Sequence, residues 1–252
     1  MATVGDVIAL RGVSAGYDGR AVITGVDLTV GTGEMVALVG ANGAGKSTLL
    51  KVLVGILRPM TGTAAVLGQP PGSTRRVAYL PQSEELHWDY PLIDEDVVLM
   101  ARIGRFSRLR GPASAERAVA HEALSKVNAE NLAHRPIGAL SGGQKQRLLV
   151  ARALASEAEV LLLDEPATAV DPTTEEELME VLEGIAQGGR TVVVSTHDLA
   201  SVMAHFPRVI AMNGAIVADG PPSILNDPEI LRRTYGGHRA THPELIADEH
   251  HA

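Results

Sequence analysis

Residues Gly40 to Thr48 read GANGAGKST and fit G-x-x-x-x-G-K-[ST], the pattern of a loop that cradles phosphate. Gly40, Gly43 and Gly45 let the backbone close around an anion where a Cβ would collide. Lys46 would bring a point charge to the β- and γ-phosphates, and the Ser47 hydroxyl a ligand for Mg²⁺; Asn42, Ala44 and Thr48 complete the loop. A second group, Asp164-Glu165-Pro166, ends an apolar run, which is where α/β sheets place their ligands. Asp164 could hold Mg²⁺ through water, and Glu165 could take the proton from a water attacking the γ-phosphate; two solvated acids ending a strand is the plainer alternative. A third stretch, Leu140-Ser141-Gly142-Gly143-Gln144, precedes a helical pattern through Gln146, Leu149 and Ala153. Ser141 fits an N-cap, while the paired glycines behind it suggest a second backbone nest for phosphate. Two such helix starts serving one γ-phosphate across a subunit boundary would make the protein work as a dimer.

The elements around these residues suit the chemistry. Met35 to Val39 reads as a buried strand and Leu49 to Val54 as a short helix ending near Gly55, so strand, glycine turn and helix aim backbone N–H groups at one point. Earlier runs at Val7 to Leu10 and Val26 to Val30 alternate with glycine turns and predict an antiparallel β layer. Short strands follow at Ala64 to Leu67 and Val77 to Leu80, the latter ending at Pro81-Gln82. From about Ser83 to Leu140 the apolar spacing turns helical, with Val97, Val98 and Met100 as one group and Val119, Leu124 and Val127 as another, and arginines cluster from Arg102 to Arg110. Val160 to Leu163 then reads as a parallel strand buried on both faces, Leu178, Val181, Leu182 and Ile185 as an amphipathic helix, and Thr191 to Ser195 as the next strand. Val209 to Met212 and Ile216 to Ala218 flank Asn213-Gly214 as a hairpin, and short helical pieces follow Gly220. The expected fold is α/β: a P-loop NTPase with a RecA-like parallel-sheet core, an N-terminal antiparallel β layer and a helical insertion over about 83–150. One domain over 1–235 and a flexible polar tail over 236–252 are expected.

Bulk composition narrows the function. The formal charge of −8 argues against strong general affinity for nucleic acid or anionic lipid, and 3% aromatics against a base-stacking platform. No cysteine is present, which removes disulfides, thiolate zinc sites and thiol nucleophiles together. No apolar run approaches the ~18–20 residues a bilayer span needs. MATVGDVIAL at the start carries no charged n-region or cleavage site, so no secretory leader is expected. A membrane role would therefore come through a partner.

In order along the chain stand GANGAGKST, Gln82 after an apolar strand, LSGGQ at 140–144, LLLDEP at 161–166, Ala169-Val170-Asp171 and His197 in STHDL. Together they resemble the nucleotide-binding subunit of an ATP-binding cassette (ABC) transporter over about residues 6–235. The resemblance implies ATP and Mg²⁺ as ligands and assigns roles by position. Tyr17 in GYDGR would stack on adenine. Gln82 would sense Mg²⁺ and the γ-phosphate and open the loop that meets the membrane subunit. Ser141, Gly142 and Gly143, with Gln144 beside them, would clamp the ATP held by the P-loop of a second copy. Asp171 would join the dimer contact and, preceding Pro172, could also cap a helix. His197 would contact the γ-phosphate and hold the attacking water with Glu165.

A finer resemblance lies in LPQSEELHWDYPLIDEDVVLMARIGR (80–105), where Trp88-Asp89-Tyr90-Pro91 is similar to the stretch that follows the glutamine in importers of manganese, zinc or iron. Lys145 and Ala167 depart from the common pattern, away from the phosphate chemistry. The implied partners are a second copy on ATP binding, an integral-membrane permease and an extracytoplasmic metal-binding protein, with no nucleic acid. The implied location is the cytoplasmic face of the cell membrane. A different solute, such as a siderophore, or a non-transport ATPase acting on nucleic acid or ribosomes, would be the competing readings. The tail histidines His238, His242, His250 and His251, beside Glu244, Asp248 and Glu249, match no metal-site spacing, and a solvated tail is expected.

Overall fold

The computed structural model describes residues 5–82, 92–103, 112–132, 135–168 and 170–236. The Trp88-Asp89-Tyr90-Pro91 stretch, the arginines at 105, 108 and 110, Ala169 and the tail histidines lie outside the described residues.

Strands β1 (Asp6–Tyr17) and β2 (Arg20–Gly31) form an antiparallel hairpin about Asp18-Gly19, and β4 (Thr61–Val66) pairs antiparallel with the other edge of β1. Ile8, Leu10, Val13 and Ala15 of β1 and Ile23, Val26, Leu28 and Val30 of β2 are buried. Buried and exposed residues alternate along much of β2, as in a sheet with one wet face. This is the antiparallel layer expected from the sequence.

The second sheet has strand order β5-β6-β7-β3-β8-β9. Its members are β3 (Met35–Val39), β5 (Val77–Leu80), β6 (Val160–Asp164), β7 (Thr191–Thr196), β8 (Arg208–Met212) and β9 (Ile216–Gly220). Pairing is parallel throughout except between β8 and β9, the hairpin at Asn213-Gly214. Strands β3 and β6 are buried at every residue, which explains why β3 and Val160 to Leu163 of β6 read as unbroken apolar runs. On one face, Val36, Leu38, Leu162 and Ile210 meet helix α1 (Lys46–Val54) and the β layer. On the other, Val39, Leu161, Leu163 and Val194 meet α4 (Gly142–Ala155), α5 (Pro172–Gln187) and α6 (Leu199–His205). Arg208 on β8 ties the two sheets together by donating to Glu34, Asp219 and the Thr29 carbonyl.

Among the described residues between β5 and β6, α2 (Asp94–Met100) and α3 (Ser114–Lys126) pack on α4 through Val98, Leu99, Ala120, Leu124 and Leu148. Met100, grouped by its spacing with Val97 and Val98, is instead exposed. The inward face of α2 is centred on Asp94, Glu95 and Val98, which turns Met100 to the surface. Asp94 is fully buried, and among the described residues neither carboxylate oxygen has a hydrogen-bond partner. Burial pushes its pKa up to about 6, against the pull of Arg135. Arg102, the first of the arginine cluster, is buried against Glu116, Glu157 and the Ala155 carbonyl. After β9 come a 3-10 turn at Pro222–Asn226 and α7 (Pro228–Tyr235), the short helical pieces expected there. Among the described residues no helix is long and apolar enough to cross a membrane.

Candidate nucleotide site

The parallel register brings the carboxyl ends of four strands together. Val39 is level with Thr196, Asp164 with Ser195, and Leu80 with Leu163. The chain therefore leaves the sheet at Gly40, Glu165, His197 and Gln82 along one edge, the crevice where open α/β sheets bind ligands.

From β3 the chain turns through Ala41, Asn42 and Gly43 into α1. A Cβ on Gly40 would lie 2.3 Å from the Met212 carbonyl oxygen, so only glycine lets the loop pass under the β8–β9 hairpin. Gly45 caps α1 at φ +97° and lies against Ile23 of β2, a left-handed position that excludes ordinary side chains. Among the described residues no side chain caps the first turn of α1. Its N–H groups and dipole thus remain directed at the loop, as an anion requires. Thr48 is buried, and Ser47 lies between it and Lys46 at the helix start.

Lys46 is 5% exposed, and its ammonium donates to the Gly40 carbonyl at 2.8 Å and the Ala41 carbonyl at 3.3 Å. Burial lowers its pKa, opposed by the charges of Glu165 and Asp164. A buried ammonium with lowered proton affinity fits a triphosphate, whose charge would offset its desolvation. Glu165 Oε1 stands 3.7 Å from the Lys46 nitrogen, and Glu165 Oε2 stands 3.7 Å from His197 Nδ1. Lys46, Glu165 and His197 are thus brought together from three strand ends. Asp164 and Ser47 supply a carboxylate and a hydroxyl, the hard oxygen donors that Mg²⁺ prefers.

The other residues singled out by sequence occupy different places. Ser141 caps α4 in a reciprocal box: its hydroxyl accepts from the Gln144 N–H at 3.3 Å, and Gln144 Oε1 accepts from the Ser141 N–H at 3.0 Å. A Cβ on Gly143 would sit 3.2 Å from Thr174 Cγ2, so the α4 start rests against the first turn of α5. Asp171 caps α5, accepting from the Thr174 N–H and hydroxyl, and these bonds hold its carboxyl below its ordinary value. Ser141, Gly142, Gly143, Gln144 and Asp171 therefore form a second cluster, which shares no hydrogen bond or ion pair with Lys46, Glu165 or His197 among the described residues. Tyr17 stands 47% exposed at the tip of the β1–β2 hairpin, and Gln82 is half-buried just beyond β5.

Four polar contacts were not anticipated from sequence, two at the site and two between α6 and α5. Ser195 donates to Asp164 Oδ1 at 2.5 Å, and Thr168 donates to Glu165 Oε2 at 3.2 Å. On α6, whose Asp198 N-cap was the missed signal for that helix, His205 meets Glu183 at 2.8 Å through Nδ1 and Glu176 at 3.2 Å through Nε2.

Fold and site together define a P-loop nucleoside triphosphatase. Residues 23–168 match the ABC transporter family. The chain is 37% identical over 236 residues to the manganese transport system ATP-binding protein MntB of Halalkalibacterium halodurans, covering 93% of this chain and 94% of that protein. It is 39% identical over 222 residues to the zinc transport system ATP-binding protein TroB of Treponema pallidum, covering 88% of this chain and 84% of that protein. Among solved structures, cbiO1 of Clostridium perfringens, part of the ABC transporter complex cbiONQ, superposes with a TM-score of 0.77 at 26% identity, over 90% of this chain and 93% of that one. The chain belongs to the ABC transporter family and carries its ATPase domain.

Proposed function

We propose that this chain is the ATP-hydrolysing subunit of an importer that moves a divalent metal ion, manganese, zinc or iron, through a partner permease. The observation that carries the reading is the convergence of Lys46, Glu165 and His197 at one sheet edge, while the Ser141–Gln144 and Asp171 cluster stands apart from it. The named activities of the manganese and zinc relatives supply the cargo class. The chain works on the cytoplasmic face of the membrane, docked to its permease, with an extracytoplasmic protein delivering the metal.

In this mechanism two copies close head to tail around two ATP molecules. Lys46 and the uncapped start of α1 hold the β- and γ-phosphates, and Tyr17 stacks on the adenine. Ser141 to Gln144 of the second copy close on the γ-phosphate, with Asp171 at the contact between copies. Ser47, Asp164 and Gln82 would hold Mg²⁺, which would supply charge neutralisation at the phosphates. Glu165 takes the proton of the attacking water, and His197 orients that water against the γ-phosphate. Loss of the γ-phosphate removes the bridge between the copies, so hydrolysis reopens the pair. Gln82 and the helical segment after it carry the motion to the permease.

Cellular metal content tests the reading. In cells lacking the chain, manganese, zinc or iron accumulation should fall, return with the wild-type chain and stay low with Glu165→Gln. Unchanged levels of all three metals would refute the cargo assignment.

A further inference from the structure

Asp164 and Glu165 are neighbours in the chain, and one hydroxyl outside their strand touches both. Ser195 on β7 pairs with Asp164 in the β6–β7 register and is fully buried. Its Oγ donates to Asp164 Oδ1 at 2.5 Å and accepts from the Glu165 N–H at 3.0 Å. The same N–H lies 3.1 Å from the Ser195 carbonyl oxygen. Glu165 adopts φ +50°, a left-handed conformation that a residue with a side chain holds only where its surroundings fix it. The other oxygen of Asp164 is met by the Tyr79 hydroxyl at 3.3 Å, a longer contact than that from Ser195.

A buried serine hydroxyl needs partners wherever it lies, and a backbone carbonyl would satisfy it. Here both partners belong to the acids that the ATPase mechanism uses. We propose that Ser195 is a positioning residue for ATP hydrolysis. Its hydroxyl fixes Oδ1 of Asp164, so that Oδ2 is the oxygen that would serve Mg²⁺. It also pins the Glu165 backbone in the turn that sets the carboxylate between Lys46 and His197. A single residue, Thr196, separates Ser195 from His197, so one strand end sets the acids and the histidine together. This inference rests on the ATPase reading of the site.

The test uses the full chain as wild type, Ser195→Ala, Ser195→Thr and Lys46→Ala. ATP affinity is measured in EDTA and across a Mg²⁺ series, Mn²⁺ coordination in the ATP complex is followed by electron paramagnetic resonance, and kcat and KM are determined separately. Ser195→Ala should match wild-type ATP affinity in EDTA. It should need about 10–100-fold more Mg²⁺ for half-maximal turnover and lose about 10–100-fold in kcat with KM for ATP little changed. Its Mn²⁺ spectrum should broaden, and Ser195→Thr, which keeps the hydroxyl, should restore most of both losses. Wild-type Mg²⁺ dependence and kcat in Ser195→Ala would overturn the proposal, as would an equal loss of ATP affinity with and without Mg²⁺. Retained ATP binding in Lys46→Ala would instead overturn the site reading itself, so the two failures are separable.

Discussion

The Lys46 side of the molecule and the Ser141 side both begin helices with glycine-rich sequence, yet they satisfy their polar groups in opposite ways. Helix α1 starts at left-handed Gly45 with no side-chain cap, beside a buried ammonium whose carboxylate neighbours stand at 3.7 Å or farther. Helix α4 starts with a closed capping box, and α5 starts on Asp171 bonded twice to Thr174. The first region is incomplete without an anion, since its donors point at a loop instead of a side chain. The second is complete as a folded surface. A Ser141 hydroxyl that accepts from Gln144 still has its own proton to donate, so the box can stay shut while the hydroxyl engages a phosphate. In the proposed mechanism one side captures nucleotide and the other offers a rigid lid for a nucleotide held by a second copy.

That contrast can be broken or sharpened by substitution. The largest effect is expected from Glu165→Gln, which should keep ATP binding and lose roughly 10²–10⁴-fold in turnover, the usual worth of a general base. Single-turnover hydrolysis near the wild-type rate would take Glu165 out of that role. Lys46→Ala comes next: removing a buried charge that pairs with phosphate costs about 3–5 kcal/mol, a factor of 10² or more in Kd. Titration with a fluorescent ATP analogue reads it directly. Ser141→Arg should leave the ATP affinity of the single chain intact and abolish ATP-driven dimerisation in sedimentation velocity. A normal dimer peak would show that the Ser141 side is not the lid.

The smallest effect concerns His205, through which α6, starting two residues past His197, is bonded to α5, starting just after Asp171. Burial lowers the pKa of His205, but its hydrogen bonds to Glu183 and Glu176, aided by their charges, outweigh burial and the net shift is upward. A raised histidine pKa contributes stability that is fully present below its unfolded value and fades as pH rises through the folded one. Urea midpoints should therefore decline from about pH 6 towards alkaline values, by no more than about 1 kcal/mol for carboxylate pairs this near the surface. In His205→Gln that slope should flatten; an identical slope would mean the imidazole does not link the two helices.

Much of this was legible in sequence because the informative signals are local. GANGAGKST needs only its own glycines and the strand before it, and the Ser141 and Asp171 caps are written within four residues each. The buried runs Met35 to Val39 of β3 and Val160 to Leu163 of β6 announce themselves by having no polar residue to face water. What escaped notice depends on pairing between distant segments. Ser195 looks like any strand residue until the β6–β7 register sets it beside Asp164. His205 gains its partners only when α6 lies on α5, and Asp94 reads as an ordinary first-turn acid until α2 packs inward.

The backbone at Glu165 carries a further consequence. At φ +50° this position would suit glycine without strain, whereas a side chain there costs the fold about 1–2 kcal/mol. If Glu165 is the general base proposed above, robustness and turnover pull in opposite directions at a single residue. A search for hardier variants that screens by melting temperature alone should drift towards glycine at 165 and, on the proposed mechanism, return a sturdier protein whose turnover is roughly 10²–10⁴-fold slower.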